Sequence, residues 1–290
     1  MVLKTGEKLY QKKLARTLKD LAENGLSSFY RGKVADMIAE DMTVLGMAVT
    51  EDDLANYTAV RKTPLRMLHK KDKLNIDGKN EGHFIHTAVE ATKQAFKLRD
   101  KYITDPKDMT VSNPQNLLSN GMLENMMNNI NPDVAASAGP GKGPGDTIWM
   151  GIMDNKGFSV SFIQSIYHVF GSGIVLPQTG IILHNRGTAF PQTQAAIFHR
   201  YAVQGLGLQK SVSSPRWVYG RTVGDQHDQL LLEDRFSSDT VEYLKARGHT
   251  VGMLPAFSDA VGQAGALVRH PNGIMEGAGD PRSDGYAAGF

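Results

Sequence analysis

The stretch that most constrains this chain is Gly139 to Phe170, which reads GPGKGPGDTIWMGIMDNKGFSVSFIQSIYHVF. Glycines and prolines fill it up to Asp146, and proline offers no amide donor to a ladder. Thr147 then opens an apolar strand, Ile148 to Met153. The residues Asp154-Asn155-Lys156-Gly157 read as a turn, and Phe158 to Ile166 returns as a second strand. A four-residue loop at 154–157 pairs Met153 with Phe158 and sets Thr147 opposite Gln164, one position from Ser165. A threonine at the start of a buried strand, behind an accessible segment, has a chemical use. Cleavage between Asp146 and Thr147 would give Thr147 a free α-amino group with a pKa of about 7.7–8.0, a base for its own hydroxyl. A hydroxyl at Ser165 would orient that amine and hold the proton in transit. The same residues also fit an ordinary loop-to-strand junction. Ser159, Ser161, Ser165 and Tyr167 share one parity and make a polar strand face that hydrogen-bonds without any chemistry. The hairpin alone leaves both accounts open.

Composition narrows the classes. The chain has 290 residues, 41% hydrophobic and 21% charged, as expected of a globular protein with a sizeable core. A net charge of +2 gives no electrostatic footprint for nucleic acid or an anionic membrane. With no cysteine there are no disulfides, thiolate metal sites or cysteine nucleophiles. No apolar run reaches membrane-spanning length and the start lacks the core of a signal peptide, so the expected compartment is cytoplasmic.

Before the Gly/Pro run the chain reads as helical. Tyr10 to Asn24 carries Leu14, Leu18 and Leu21 at helical spacing and ends at Gly25. Phe29 to Gly32 separates it from a second helix, Lys33 to Leu45. Thr50-Glu51-Asp52-Asp53 is a helix start, and Leu65 to Leu68 a short strand. His69 to Lys73 reads as a solvated turn. Gly82 to Tyr102 is a helix with Phe84, Ala88, Ala91 and Phe96 on one face. His83, His86 and Glu90 on it lack a further ligand in view, which suits a helix surface or satisfied core better than a metal site. Gln115 to Ile130 reads as one more helix, and Asn131 to Asp146 as a mobile processing linker. After the hairpin, Thr179 to Leu183, Leu230 to Leu232, Val251 to Leu254, and the pair Ala264 to Arg269 and Gly273 to Met275 read as strands. Gln192 to Leu206 and Ser237 to Arg247 read as helices, and Gly277 to Arg282 as a loop. That segregation predicts stacked α and β layers rather than alternating βαβ units.

The hairpin, together with Phe170 to Val175, Gly180 to Asn185, Gln192-Thr193-Gln194, Ser214 to Trp217 and Gly279 to Gly285, resembles the γ-glutamyltransferase (γ-glutamyltranspeptidase) family of N-terminal nucleophile hydrolases. Leu14 to Leu18, Phe29 to Gly32 and Phe96 to Asp100 resemble its large subunit. The resemblance implies an α+β fold, a four-layer αββα sandwich, made as a precursor that cleaves itself. Residues 1–146 would be the large, mainly helical part with a linker at 131–146, and 147–290 the β-rich part, together one domain. Carried over, Thr147 is the nucleophile, Ser165 the hydroxyl that contacts it, and Asp146–Thr147 the cleaved bond. Tyr167, Asn185 and Arg186 fall on substrate-binding positions. A small-molecule amide is the implied substrate. The implied assembly is two fragments held together, with a homodimer of that pair left open, and no cofactor or metal is implied.

Departures sharpen the resemblance. Tyr167 stands where transpeptidases place asparagine, and Ala189 where they place the aspartate that binds a γ-glutamyl α-amino group. Gly-Asp-Thr-Ile-Trp-Met and Asn185-Arg186-Gly187 look instead like the oxamate amidohydrolase branch, in which Arg186 would pair with a substrate carboxylate or else serve a structural ion pair. The family's early large-subunit residues, a proline-rich region near Lys73-Leu74 and the glycine pair expected between Phe190 and Pro191 have no counterpart. Those glycine amides form the family's oxyanion hole, where loss of one donor costs about 10²–10³ in rate. Three readings follow: a self-processing amidohydrolase, a contracted scaffold that keeps the fold without turnover, and, least favoured because of Ala189, a γ-glutamyl hydrolase or transferase proper.

Overall fold

The computed structural model describes residues 4–67, 80–105, 107–137, 146–167, 170–185, 192–220 and 229–289, with Asp146, Thr147 and Tyr167 as backbone only. The chain forms two compact units, Met1–Thr63 with Ile166–Arg186, and Pro64–Ser165 with Gly187–Phe290.

In the first unit, α1 (Lys12–Asn24) ends where Gly25 turns to φ +90° and donates its N–H to Leu21. The buried side of α1 keeps Leu14 and Leu21 of the expected leucine stripe, both half-buried, but not Leu18. Leu18 is 58% exposed, whereas Thr17 is buried and donates its hydroxyl to the Thr179 carbonyl at 2.9 Å. A polar residue faces inward here because a main-chain acceptor waits for it. Between α1 and α3 (Lys33–Val44) the expected spacer is itself one helical turn, α2 (Ser28–Arg31). The start of α4 (Glu51–Asn56) is the expected one: Thr50 and Asp53 form a reciprocal capping box. Val34, Ile38 and Met42 of α3 bury Leu176 from the 170–185 stretch. Asp41, also buried, accepts the Gln178 amide at 2.8 Å. The strand expected at Thr179 to Leu183 reduces to one bridge, Val175 with Ile182. Gly171 and Gly180, at φ +54° and +72°, curl the chain too tightly for a longer ladder. A Cβ on Gly171 would lie 2.1 Å from the Leu183 oxygen, and one on Gly180 2.7 Å from the Leu14 nitrogen.

The second unit is organised around α5 (Glu81–Tyr102), capped by the Asn80 side chain. Phe84, Ile85, Val89 and Phe96 are buried, while Ala91 is exposed. No strand forms at residues 65–67. Arg66 instead bonds its main-chain N–H and C=O to the Gln115 side-chain amide. The helix expected over Gln115 to Ile130 is broken at Ser119 (φ −66°, ψ 148°) into a 3₁₀ turn, Pro114–Leu118, and α6 (Asn120–Asn128). The hairpin forms as β1 (Asp146–Met153) and β2 (Ser159–Tyr167). Then come α7 (Gln192–Phe198), which runs on as a π turn through Val203, α8 (Leu208–Ser213), β3 (Trp217–Gly220) and β4 (Gln229–Glu233). After β4 follow α9 (Ser238–Ala246, capped by Ser237), β5 (Val251–Leu254), β6 (Ala266–Arg269) and β7 (Met275–Ala278). β4 is central, antiparallel to β3 and parallel to β5, and β6 pairs antiparallel with β7. α5 and α9 cover the three-stranded sheet through Phe84, Val89, Trp217, Leu230, Leu232 and Leu244. Among the described residues no helix is long and apolar enough to cross a membrane.

Candidate active site

Asp154 sets the hairpin register. Its N–H donates to Phe158 O at 2.9 Å, and its Oδ1 accepts from the amides of Lys156 (2.9 Å) and Phe158 (2.8 Å). Gly157 takes φ +92° and donates to Asp154 O. Asp154 therefore faces Phe158 across the three residues 155–157, a correction of one step to the expected Met153–Phe158 pairing. With that register, residues of equal parity share a face on both strands. The indole N–H of Trp149 accordingly donates to Ser161 Oγ at 2.9 Å. The other face carries Ile148, Met150 and Ile152 of β1 with Phe158, just before β2, and Val160 and Phe162 of β2, all between 47% and 75% exposed. The strand after Thr147 is thus apolar, as expected, but this face of it is not buried.

Asp146 and Thr147 are the first two residues of β1, and Ser165 is an exposed residue of β2 in the same compact unit. Tyr167 ends β2. Asn185, exposed, donates its main-chain N–H to Ile166 O at 3.1 Å. Arg186 and Ala189 lie outside the described residues, as do Lys73-Leu74, the Phe190-Pro191 junction and the His69 to Lys73 turn. Beginning one residue after Thr147, a cleft of about 980 Å³ runs between β1 and the β6–β7 pair, with Asp280 and Arg282 in its lining. The Trp149 ring seats against Gly151 and Gly265, where an added Cβ would come within 2.4 and 2.5 Å of it.

Behind that cleft the Ser214 to Trp217 and Gly279 to Gly285 motifs meet. Arg216, Glu233, Asp280 and Arg282 are buried together. Arg282 grips the Glu233 carboxylate with Nε (2.7 Å) and Nη2 (2.5 Å) and donates Nη1 to Asp280 Oδ1 (3.1 Å). Arg216 pairs with Asp280 Oδ2, which also accepts the Ala264 amide at 2.7 Å. Burial, and then repulsion from Arg282, lower the Arg216 guanidinium to about 10. The loop read at Gly277 to Arg282 is thus partly strand and otherwise a buried ionic junction. Sequence signals both halves of this cluster but not their pairing.

A second buried cluster joins His86 and Glu90 of α5 to His249, which the sequence leaves unmarked because it follows α9 in the chain. His83, grouped with them by spacing, instead approaches the Tyr243 hydroxyl at 3.3 Å. His86 Nε2 sits 2.9 Å from Asn131 O, an acceptor only, so it carries the proton, and Nδ1 accepts from His249 Nε2 at 2.8 Å. Glu90 Oε1 accepts from Lys93 Nζ at 2.6 Å and Oε2 from the Ala136 amide at 3.1 Å. Both nitrogens of His86, Nε2 of His249 and both Glu90 oxygens are engaged, and an ammonium already bonds the carboxylate. The cluster is a buried polar network. Burial lowers the pKa of both histidines, His249 to about 4, where Lys93 adds to the effect.

The family model described as gamma-glutamyltranspeptidase matches residues 1–76, 65–197 and 187–290. The chain belongs to the gamma-glutamyltranspeptidase family, and its fold is the mixed α and β fold of these N-terminal nucleophile hydrolases. It is 42% identical to the oxamate amidohydrolase proenzyme of Klebsiella pneumoniae subsp. pneumoniae, over 98% of this chain and 66% of that one. It is 30% identical to the glutathione hydrolase-like YwrD proenzyme of Bacillus subtilis, over 98% and 67%, and 28% identical to the glutathione hydrolase proenzyme of Escherichia coli, over 99% and 63%. The crystal structure of cephalosporin acylase from Bacillus halodurans superimposes with a TM-score of 0.81 at 26% identity, over 99% of this chain and 64% of that one. The chain spans about two thirds of the length of the curated relatives it matches. The three matched stretches meet at residues 65–76 and 187–197, the two internal places where sequence reading finds family segments missing.

Proposed function

We propose that this chain is a self-processing amidohydrolase that is cut between Asp146 and Thr147. The Thr147 hydroxyl would attack the Asp146 carbonyl carbon, and water would release the resulting ester, leaving Thr147 with a free amine. In turnover the amine takes the hydroxyl proton as Oγ bonds to the amide carbon of the substrate. The departing amine collects that proton, and water cleaves the acyl-threonine. The observation that carries this reading is the hairpin register in a member of a family whose relatives are named proenzymes. Stepped back from Asp154–Phe158 without a bulge, it sets Thr147 opposite Ser165, which supports Ser165 as the hydroxyl partner of the amine.

The proposed substrate is a small anionic amide of the oxamate kind. The 42% identity to an oxamate amidohydrolase proenzyme supports this, and so does Ala189, which offers no carboxylate for an α-amino group. Arg186 is the proposed partner of the substrate carboxylate, with Asn185 and Tyr167 as further proposed substrate-binding residues. The two products of the cut, 1–146 and 147–290, stay together in one four-layer αββα sandwich.

Intact-mass spectrometry of the purified chain beside Thr147→Ala tests the reading. Two wild-type fragments summing to the precursor plus one water, with the variant whole, are expected. A wild-type chain that stays whole overturns it. Release of ammonia from oxamate, and none of the aniline from a γ-glutamyl anilide, is the expected substrate result.

A further inference from the structure

The linker read from sequence begins at Asn131, but its first six residues are held in place. His86 Nε2 donates to Asn131 O, and Arg247 Nε donates to Pro132 O at 3.1 Å. Ala135 donates its N–H to Arg247 O at 2.7 Å. Ala136 is gripped at both main-chain groups: its N–H donates to Glu90 Oε2 (3.1 Å) and its C=O accepts from Lys93 Nζ (2.8 Å). Apolar burial does not explain this path, since residues 131–134 are exposed and Val134 is 56% so. The groups that hold it are costly ones. Glu90 is fully buried, Lys93 is 6% exposed, and burying such a pair repays its desolvation only when the remaining hydrogen bonds are made. Those remaining bonds go to Ala136, ten residues before Asp146.

We propose that Glu90 and Lys93, backed by the His86–His249 pair and Arg247, form an anchor that fixes the chain at Ala136 for self-processing and afterwards keeps the tail of the N-terminal fragment docked. The proposal rests on the cut at Asp146–Thr147 and makes Glu90 and Lys93 positioning residues, not catalytic ones. The anchor fixes the main chain ten residues ahead of the scissile bond. An attack that needs one carbonyl held near one hydroxyl gains from that restriction.

Two measurements on the full chain test it. Hydrogen exchange on uncut Thr147→Ala should show the Ala135 and Ala136 amides slowed at least about 100-fold relative to an unstructured peptide. Fast exchange there, with Ile85 and Val89 in α5 still protected, overturns the anchor. In the second, Ala136→Pro deletes the amide that Glu90 receives without touching α5, and Ala136→Gly keeps it. The proline variant should self-cleave at least about tenfold more slowly than wild type, the glycine variant at nearly the wild-type rate, with similar melting temperatures in all three. A proline variant that cleaves at the wild-type rate overturns the positioning role. A wild type that never cleaves overturns the processing reading and the positioning role with it, a result distinct from lost protection in Thr147→Ala.

Discussion

Around Asp280 four charged side chains bond one another and the main chain of several elements, whereas around His86 two neutral imidazoles and one ion pair direct their main-chain bonds to one segment, Asn131 to Ala136. Both clusters are buried in the same compact unit. The first joins β4 to segments beside β3 and after β7. The second holds residues 131–136. The first cluster fixes how elements meet, and the second fixes where a loop runs. Their responses to perturbation should differ accordingly.

The largest expected effect is on the ionic cluster. Arg282→Met strips Glu233 and Asp280 of their shared partner and should cost about 3–5 kcal/mol in urea unfolding. Glu90→Gln, which keeps an acceptor for the Ala136 amide, should cost less than about 2 kcal/mol. Equal losses would erase the distinction between the clusters. Acid provides the next test. His86 and His249 have folded pKa values below their unfolded 6.5, His249 near 4, so the unfolded chain takes up protons that the folded chain refuses. Stability is then full above pH 6.5 and falls as pH drops towards 4, by on the order of 2–3 kcal/mol more than in His249→Gln. Denaturation midpoints at pH 7, 5.5 and 4.5 read this directly, and parallel curves for the two proteins would assign the acid loss elsewhere. The smallest effect belongs to the cap of α9. Ser237→Ala should cost about 1 kcal/mol and speed exchange at Ala135, bonded just beyond that helix, while the Ala264 amide held by Asp280 stays slow.

Local rules carried part of this structure in the sequence. The Thr50 capping box, the Gly25 helix end, the hairpin and the span of α5 follow from neighbours a few residues apart. What failed depended on partners far along the chain. Thr17 turns inward because Thr179 presents a carbonyl, and no leucine stripe reports that. Residues 65–67 lose their strand to a side-chain amide at Gln115. The hairpin register at the turn moved by one because the Asp154 carboxylate caps its own turn. His249 lies 163 residues from its partner His86 and within no recognisable motif. Low complexity read as mobility overlooked that a main chain without large side chains is what Glu90 and Lys93 can grip from both sides. Of the proposed site, the hairpin that carries Thr147 and Ser165 was legible in the sequence, and the pairing at its turn was not.

The uncovered face of the hairpin has a practical consequence for the protein in solution. Six apolar side chains, from Ile148 to Phe162, meet water on one side of a two-stranded ribbon. Attraction between such faces is entropic near room temperature, weakening on cooling and strengthening with excluded salts such as sulfate. Light scattering from concentrated samples should therefore rise on warming from the cold and clear again on chilling. Salting-out with ammonium sulfate should begin early for a chain of this size and charge.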